Sequence, residues 1–208
     1  MRLFESYERV AVISLPARTD RRQAIRRQIG DVEFFDAVRP STPGPFSSIG
    51  HHGCYLSHLA LLKPGKSVLI LEDDCEFTGD CIVPADVDML YGGWLEMDGD
   101  CVVGSHCVGL SARAAALAYA YLSGLIERRI GPDAKAAREP GFNPEILPPI
   151  DGAYVWFRRN HPEIKTLFAQ ISRQRRSRSD VTPGRLDTIP FVRSLIDFGR
   201  RVAQSSSS

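Results

Sequence analysis

The chain has 208 residues, 43% hydrophobic and 25% charged, and carries a net charge of +1. That length suits one domain with a sizeable core, and the composition is ordinary for a globular protein. Near-neutrality argues against strong attraction to nucleic acid or an anionic membrane, and no apolar run approaches the roughly 20 residues that span a bilayer.

Met1 to Ser6 lacks the apolar core of a signal peptide, so cytoplasmic residence is the expectation. Peripheral membrane contact through a partner is compatible with this. Arg9 to Leu15 reads as a first buried strand. Thr19 is placed to cap a helix over Asp20 to Ile29, and Gly30 to end it. Val32 to Ala37 reads as a second strand, and Pro40 to Pro45 as a loop. A helix from about Gly53 to Leu62 follows, stopped by Pro64 and Gly65. Val68-Leu69-Ile70-Leu71 is then a continuous apolar strand. This β-α-β-α-β order predicts an α/β fold with a mostly parallel central sheet.

Cys75 to Asp100, with glycines at 79, 92, 93 and 99, reads as an irregular excursion. Cys101 to Gly104 resumes as a short strand. Ser111 is placed to cap an alanine-rich helix through Ala114 to Arg129. Gly131 to Pro149 reads as a long connection. The aromatic stretch Tyr154-Val155-Trp156-Phe157 fits either helix or strand. The expected organisation is a single domain over 1–183. A tail over 184–208 follows, holding an amphipathic helix at 191–202 and a disordered serine end.

The most informative stretch is Glu72-Asp73-Asp74, three carboxylates directly after the apolar strand. In open α/β folds, ligands bind at the carboxyl ends of strands. Adjacent acids repel unless something positive sits among them. A hard divalent cation with oxygen ligands is one solution, and a solvated acidic turn is the plainer one. The five cysteines, at 54, 75, 81, 101 and 107, form neither a C-x-x-C pair nor a disulfide framework. His51, His52, Cys54 and His58 match no closed zinc pattern, so buried structural thiols are the expected role. Arg173 to Arg178 is the one dense basic run and reads as a solvated loop.

Several separated segments resemble glycosyltransferase family 25, the lipopolysaccharide and collagen-type enzymes. They are Val12-Ile13-Ser14-Leu15 with Arg18-Thr19-Asp20-Arg21-Arg22, then Gly53-Cys54-Tyr55-Leu56-Ser57-His58, then Leu69 to Asp74, then His106 with Gly109-Leu110-Ser111 and Ala114-Ala115. Weaker matches are Pro149-Ile150-Asp151 and Gln170 with Ser179-Asp180-Val181. Ser14 stands where the family usually has Asn. Order and spacing agree over about residues 9 to 183.

This resemblance implies a GT-A-like nucleotide-sugar-binding fold. It implies transfer of a galactose- or glucose-class hexose from a UDP-sugar donor to a glycan or lipid-linked, lipopolysaccharide-type acceptor, assisted by Mn²⁺ or Mg²⁺. Under it, Asp74 is the first metal ligand, with Glu72 and His106 as further ones. Glu72 or Asp73 would contact the ribose or a metal-bound water. Arg18 and Arg21 would reach diphosphate, and His58 would sit beside the nucleotide. Asp151 and Asp180 are the candidates for a general base. The alternative is a non-catalytic nucleotide- or glycan-binding module derived from a transferase. Nucleic acid is not an expected partner.

Overall fold

A computed structural model describes residues 3–175. Asp180, the expected tail helix and the second half of the basic run, residues 176–178, therefore lie outside the described residues. The strands are β1 (Arg9–Ser14), β2 (Glu33–Asp36), β3 (Val68–Glu72), β4 (Cys75–Phe77), β5 (Met89–Gly93), β6 (Glu96–Asp98), β7 (Cys101–Val103), β8 (Cys107–Leu110), β9 (Thr166–Phe168) and β10 (Ser172–Gln174). The helices are α1 (Thr19–Ile29), α2 (Ile49–Leu62), α3 (Ala112–Ile126) and α4 (Ile150–Asn160).

The central sheet has six strands in the order β2-β1-β3-β8-β5-β9. The pairs β1–β2, β1–β3 and β5–β9 are parallel, and β8 alone runs against its neighbours β3 and β5. The fold is therefore α/β with a mostly parallel sheet, as the sequence order predicts. Two small antiparallel pairs, β4–β10 and β6–β7, stand outside it.

Strand alternation divides the core into two layers. Val68 and Ile70 join Tyr55, Leu61, Ala115, Leu122, Tyr154 and Phe157, so α2, α3 and α4 cover one face. Leu69 and Leu71 join Val12, Ile25, Leu90, Cys107 and Ile171, so α1 and the β4–β10 pair cover the other. All four apolar residues of β3 are buried. Each such side chain contributes about 1.5–3 kcal/mol, which makes β3 the spine of the molecule.

Several elements depart from expectation for local reasons. α1 begins at Thr19 itself; Arg18 occupies the capping place without a side-chain cap bond and pairs with Asp20 instead. α2 starts earlier, at Ile49, because Ser48 accepts from the His51 backbone N–H at 3.1 Å. The excursion after β3 contains β5, a fully buried central strand. The aromatic stretch is helix α4, buried from Ala153 to Phe157. Tyr154 (0% exposed) and Trp156 (5%) are core residues.

The docking of α2 explains part of its sequence. Ser57 Oγ accepts from the Val38 backbone N–H at 2.9 Å and donates to the Gly53 carbonyl at 2.7 Å. A Cβ on Gly53 would lie 2.5 Å from the Val38 carbonyl oxygen. Only glycine permits that approach. Gly53→Ala should therefore cost about 1–3 kcal/mol through forced displacement, read as a lowered urea midpoint at unchanged slope.

Candidate functional site

The carboxyl end of β3 lies between β1, which runs parallel to it, and β8, which runs against it. Around it gather Arg21 from α1, Cys54 and His58 from α2, the three acids, His106 just before β8, Asp151 from α4, and Gln174 from β10. The strand ends at Glu72, and the turn that follows separates the acids. Glu72 falls on the side of Val68 and Ile70, toward α2; Asp73 turns toward α1.

Asp73 is held on two sides. Its Oδ2 accepts from Ser14 Oγ at 2.8 Å, and its Oδ1 from Arg21 Nη1 at 2.6 Å. Arg21 Nη1 also lies 3.4 Å from Asp74 Oδ2, which accepts from Gln174 Nε2 at 3.1 Å as well. The side chains of Arg21, Asp73 and Asp74 are about one-tenth exposed. The positive group among the acids is thus a buried guanidinium. Ser14, at the position where the resemblance leads one to expect Asn, supplies a polar contact to the same carboxylate.

Asp74 Oδ1 is buried with no hydrogen-bond partner. Burial raises the Asp74 pKa, and Arg21 and Gln174 oppose that rise. His106 is 1% exposed, and neither ring nitrogen makes a well-formed hydrogen bond, although the Ser172 backbone lies close. Burial lowers its pKa, while Asp74 pulls it up. Asp74 and His106 are therefore electrostatic neighbours on the β10 side of the strand end.

Glu72 belongs to the other side. Its carboxylate groups with Cys54 Sγ and a ring nitrogen of His58, all within 4.8 Å of one another. Burial holds its pKa well above the usual carboxylate range, reinforced by the charges of Asp74, Asp151 and Asp73. Burial also raises the Cys54 thiol. His58 is fully buried and pushed down to about 3, so it is a neutral imidazole. Its Nδ1 meets the Tyr154 hydroxyl at 3.0 Å. His51 and His52 face elsewhere, bonded to Ser47 Oγ and the Thr42 carbonyl.

Asp151 sits in the first turn of α4, a favourable place for an acid. Its Oδ2 accepts from the Gly104 backbone N–H at 2.7 Å and its Oδ1 from that of Gly152 at 2.9 Å. Pro149 occupies the capping place. The Asp151 charge acts on Glu72, Cys54 and His51, so a residue distant in sequence joins the acidic neighbourhood. Arg18, just before α1, pairs with Asp20 at 3.1 Å. Gln174 had no signal in the sequence. Cys54 did, being one helical turn before His58.

No protein-family model and no curated protein matches the chain. Among solved structures it is similar to a glycosyltransferase involved in the glycosylation of the major capsid of PBCV-1. Identity is 8% over 82% of this chain and 93% of that chain, with a TM-score of 0.45. That likeness is a loose one of chain course, and the chemistry of the site stands on its own residues.

Two predictions follow from the charges. Arg21→Met leaves two buried carboxylates without their cation and should cost about 3–5 kcal/mol, measured by chemical denaturation at pH 7. Glu72 keeps its proton in the folded state above its ordinary value of 4.5. Between that value and the folded one, the native state binds more protons than the unfolded chain, so stability falls as pH rises. Glu72→Gln removes this loss. In chelator, its melting temperature should match wild type near pH 4 and exceed it as pH rises above 4.5.

Proposed function

We propose that the protein is a glycosyltransferase that moves a galactose- or glucose-class hexose from a UDP-sugar to a hydroxyl of a glycan or lipopolysaccharide-type acceptor. The observation that carries this reading is convergence. Segments around residues 21, 58, 72–74, 106 and 151, far apart in sequence and all within the family 25 resemblance, meet at the carboxyl end of β3. That end is where an α/β sheet offers a nucleotide crevice, and the reading places a GT-A-like donor site there.

A divalent cation fits the residues in part. Asp74 offers a buried carboxylate oxygen without a partner, and His106 offers ring nitrogens without well-formed bonds. Those donors suit Mn²⁺, and with fewer nitrogen contacts Mg²⁺. Asp73 is committed to Ser14 and Arg21, and Glu72 faces α2 beside Cys54 and His58, so Asp74 and His106 are the proposed ligands. When bound, the cation would neutralise charge growing on the departing diphosphate. Arg21 holds the acids in place and supplies fixed positive charge beside them. Arg18 lies at the start of the same helix, where a guanidinium could reach phosphate oxygens.

Asp151 is the proposed general base. Two backbone N–H groups fix the position of its carboxylate. It would take the proton of the acceptor hydroxyl as the new glycosidic bond forms. Asp180, the other candidate, lies outside the described residues.

The binding-module alternative has one observation in its favour: the Arg21 bridge and the Gln174 bond already satisfy much of the acid cluster. A donor-hydrolysis screen across nucleotide-sugars, with Mn²⁺ and with chelator, separates the two. The transferase reading requires turnover of a UDP-hexose; binding without turnover favours the module. Asp74→Asn should lower turnover more than tenfold, a loss above about 1.4 kcal/mol of transition-state stabilisation, and should weaken Mn²⁺-dependent UDP binding in calorimetry. Asp151→Asn should retain UDP binding while single-turnover transfer collapses. Wild-type transfer by that variant would remove Asp151 from the chemistry.

A further inference from the structure

We infer that Cys54, His58 and Glu72 form a binding site for a zinc-class divalent ion, on the α2 side of β3 and separate from Asp74 and His106. Their candidate ligand atoms lie within 4.8 Å of one another. Ligands around a tetrahedral zinc, at about 2.0–2.3 Å from the metal, stand about 3.3–3.7 Å apart. Closing the site thus needs side-chain adjustments of about an ångström, with no change of fold.

Two local rules bring the donors together. Cys54 and His58 are four apart on α2 and share a face. Glu72 is the last residue of β3 and points to that face by alternation with Val68 and Ile70.

The independent sign of a ligand is His58. It is 0% exposed, its Nδ1 is committed to the Tyr154 hydroxyl, and its Nε2 is buried with no partner. An unpartnered buried nitrogen carries a cost of about 1–3 kcal/mol, which a bound cation removes. The Tyr154 contact is the kind of outer hydrogen bond that orients a metal-ligating imidazole. Tyr154 lies in the packed core, so the ring is held in place before any ion arrives.

The donor set selects the ion. A thiolate and an imidazole with one carboxylate suit Zn²⁺ and disfavour Mg²⁺ and Ca²⁺, which prefer oxygen. The carboxylates of Asp73, Asp74 and Asp151 nearby add negative potential that favours any cation. Three protein ligands leave a fourth position for water or for an oxygen of a bound small molecule. His51 and His52, bonded to Ser47 and Thr42, are not part of the set.

The test uses the full chain stripped with chelator and dialysed against Zn²⁺, with metal content measured directly. Wild type should take up one zinc per chain at micromolar free metal. Co²⁺ in its place should give a thiolate-to-metal charge-transfer band. Cys54→Ser, near-isosteric, should abolish the band, and Cys54→Ser and Glu72→Gln should each weaken zinc binding about tenfold or more. Cys75→Ser and Asp74→Asn should keep both the band and the stoichiometry. Absence of stoichiometric zinc in wild type overturns the site. So does a cobalt spectrum without the thiolate band, which needs no variant. Loss of zinc in Asp74→Asn with retention in Cys54→Ser would move the ion to the acidic side and overturn it equally. Mn²⁺-dependent UDP binding is a separate measurement, so the donor-site reading and this one fail independently.

Discussion

The end of β3 is held by one buried ion pair. Arg21 reaches from α1 to Asp73 at 2.6 Å and touches Asp74 beyond it. A pair so poorly hydrated gains little net stability over an apolar substitute, yet breaking it strands charge in the core. Its effect is positional. It fixes α1 against the sheet, commits Asp73 on both its oxygens, and leaves Asp74 with one oxygen committed and one without a partner. Gln174 of β10 completes the clamp, so the late part of the chain is joined to its first helix through one carboxylate.

The second constraint is the two-residue period of a strand. Glu72 is the last extended residue and keeps the face of Val68 and Ile70, while Asp73 and Asp74 lie in the turn that follows. Glu72 goes to α2 and meets a thiol and an imidazole; Asp73 goes to α1 and meets a guanidinium. A run that looks uniform in sequence becomes two environments with different chemistry. One is neutralised by a built-in cation. In the other, the strongest charges acting on Glu72 are negative.

Legibility in the sequence followed the strength of local signals. β1, β3 and α3 were readable because apolar runs, helical spacing and capping residues agreed, and α1 from its helical spacing although Thr19 does not cap it; Ser111 caps α3 through the Ala114 N–H as its position implied. β5 was not readable, because Met89-Leu90-Tyr91 is short and ends in two glycines that look like loop. Those glycines serve close packing: a Cβ on Gly93 would collide with His106 and Ser172. α4 was ambiguous because Tyr154 to Phe157 is apolar on every side, and the structure buries every side. The position of Glu72, Asp73 and Asp74 at a strand end was legible. Arg21 and Cys54 were marked in the sequence, but not as partners of Asp73 and Glu72, and Gln174 was not marked at all, since these pairings are long-range and no local pattern encodes them.

The reversed strand has a consequence for how the chain reaches this state. β5 gains its outer neighbour only from β9, through the pairing of Met89 with Thr166, and Asp74 gains Gln174 later still. Such long-range closure makes folding slow relative to helical proteins of similar size. A nascent chain that has emerged only through α3 carries β5 as an open apolar edge, a template for pairing with other chains. Synthesis must run past residue 168 before that edge is covered, so the interval between α3 and β9 is the period in which this protein is most exposed to aggregation.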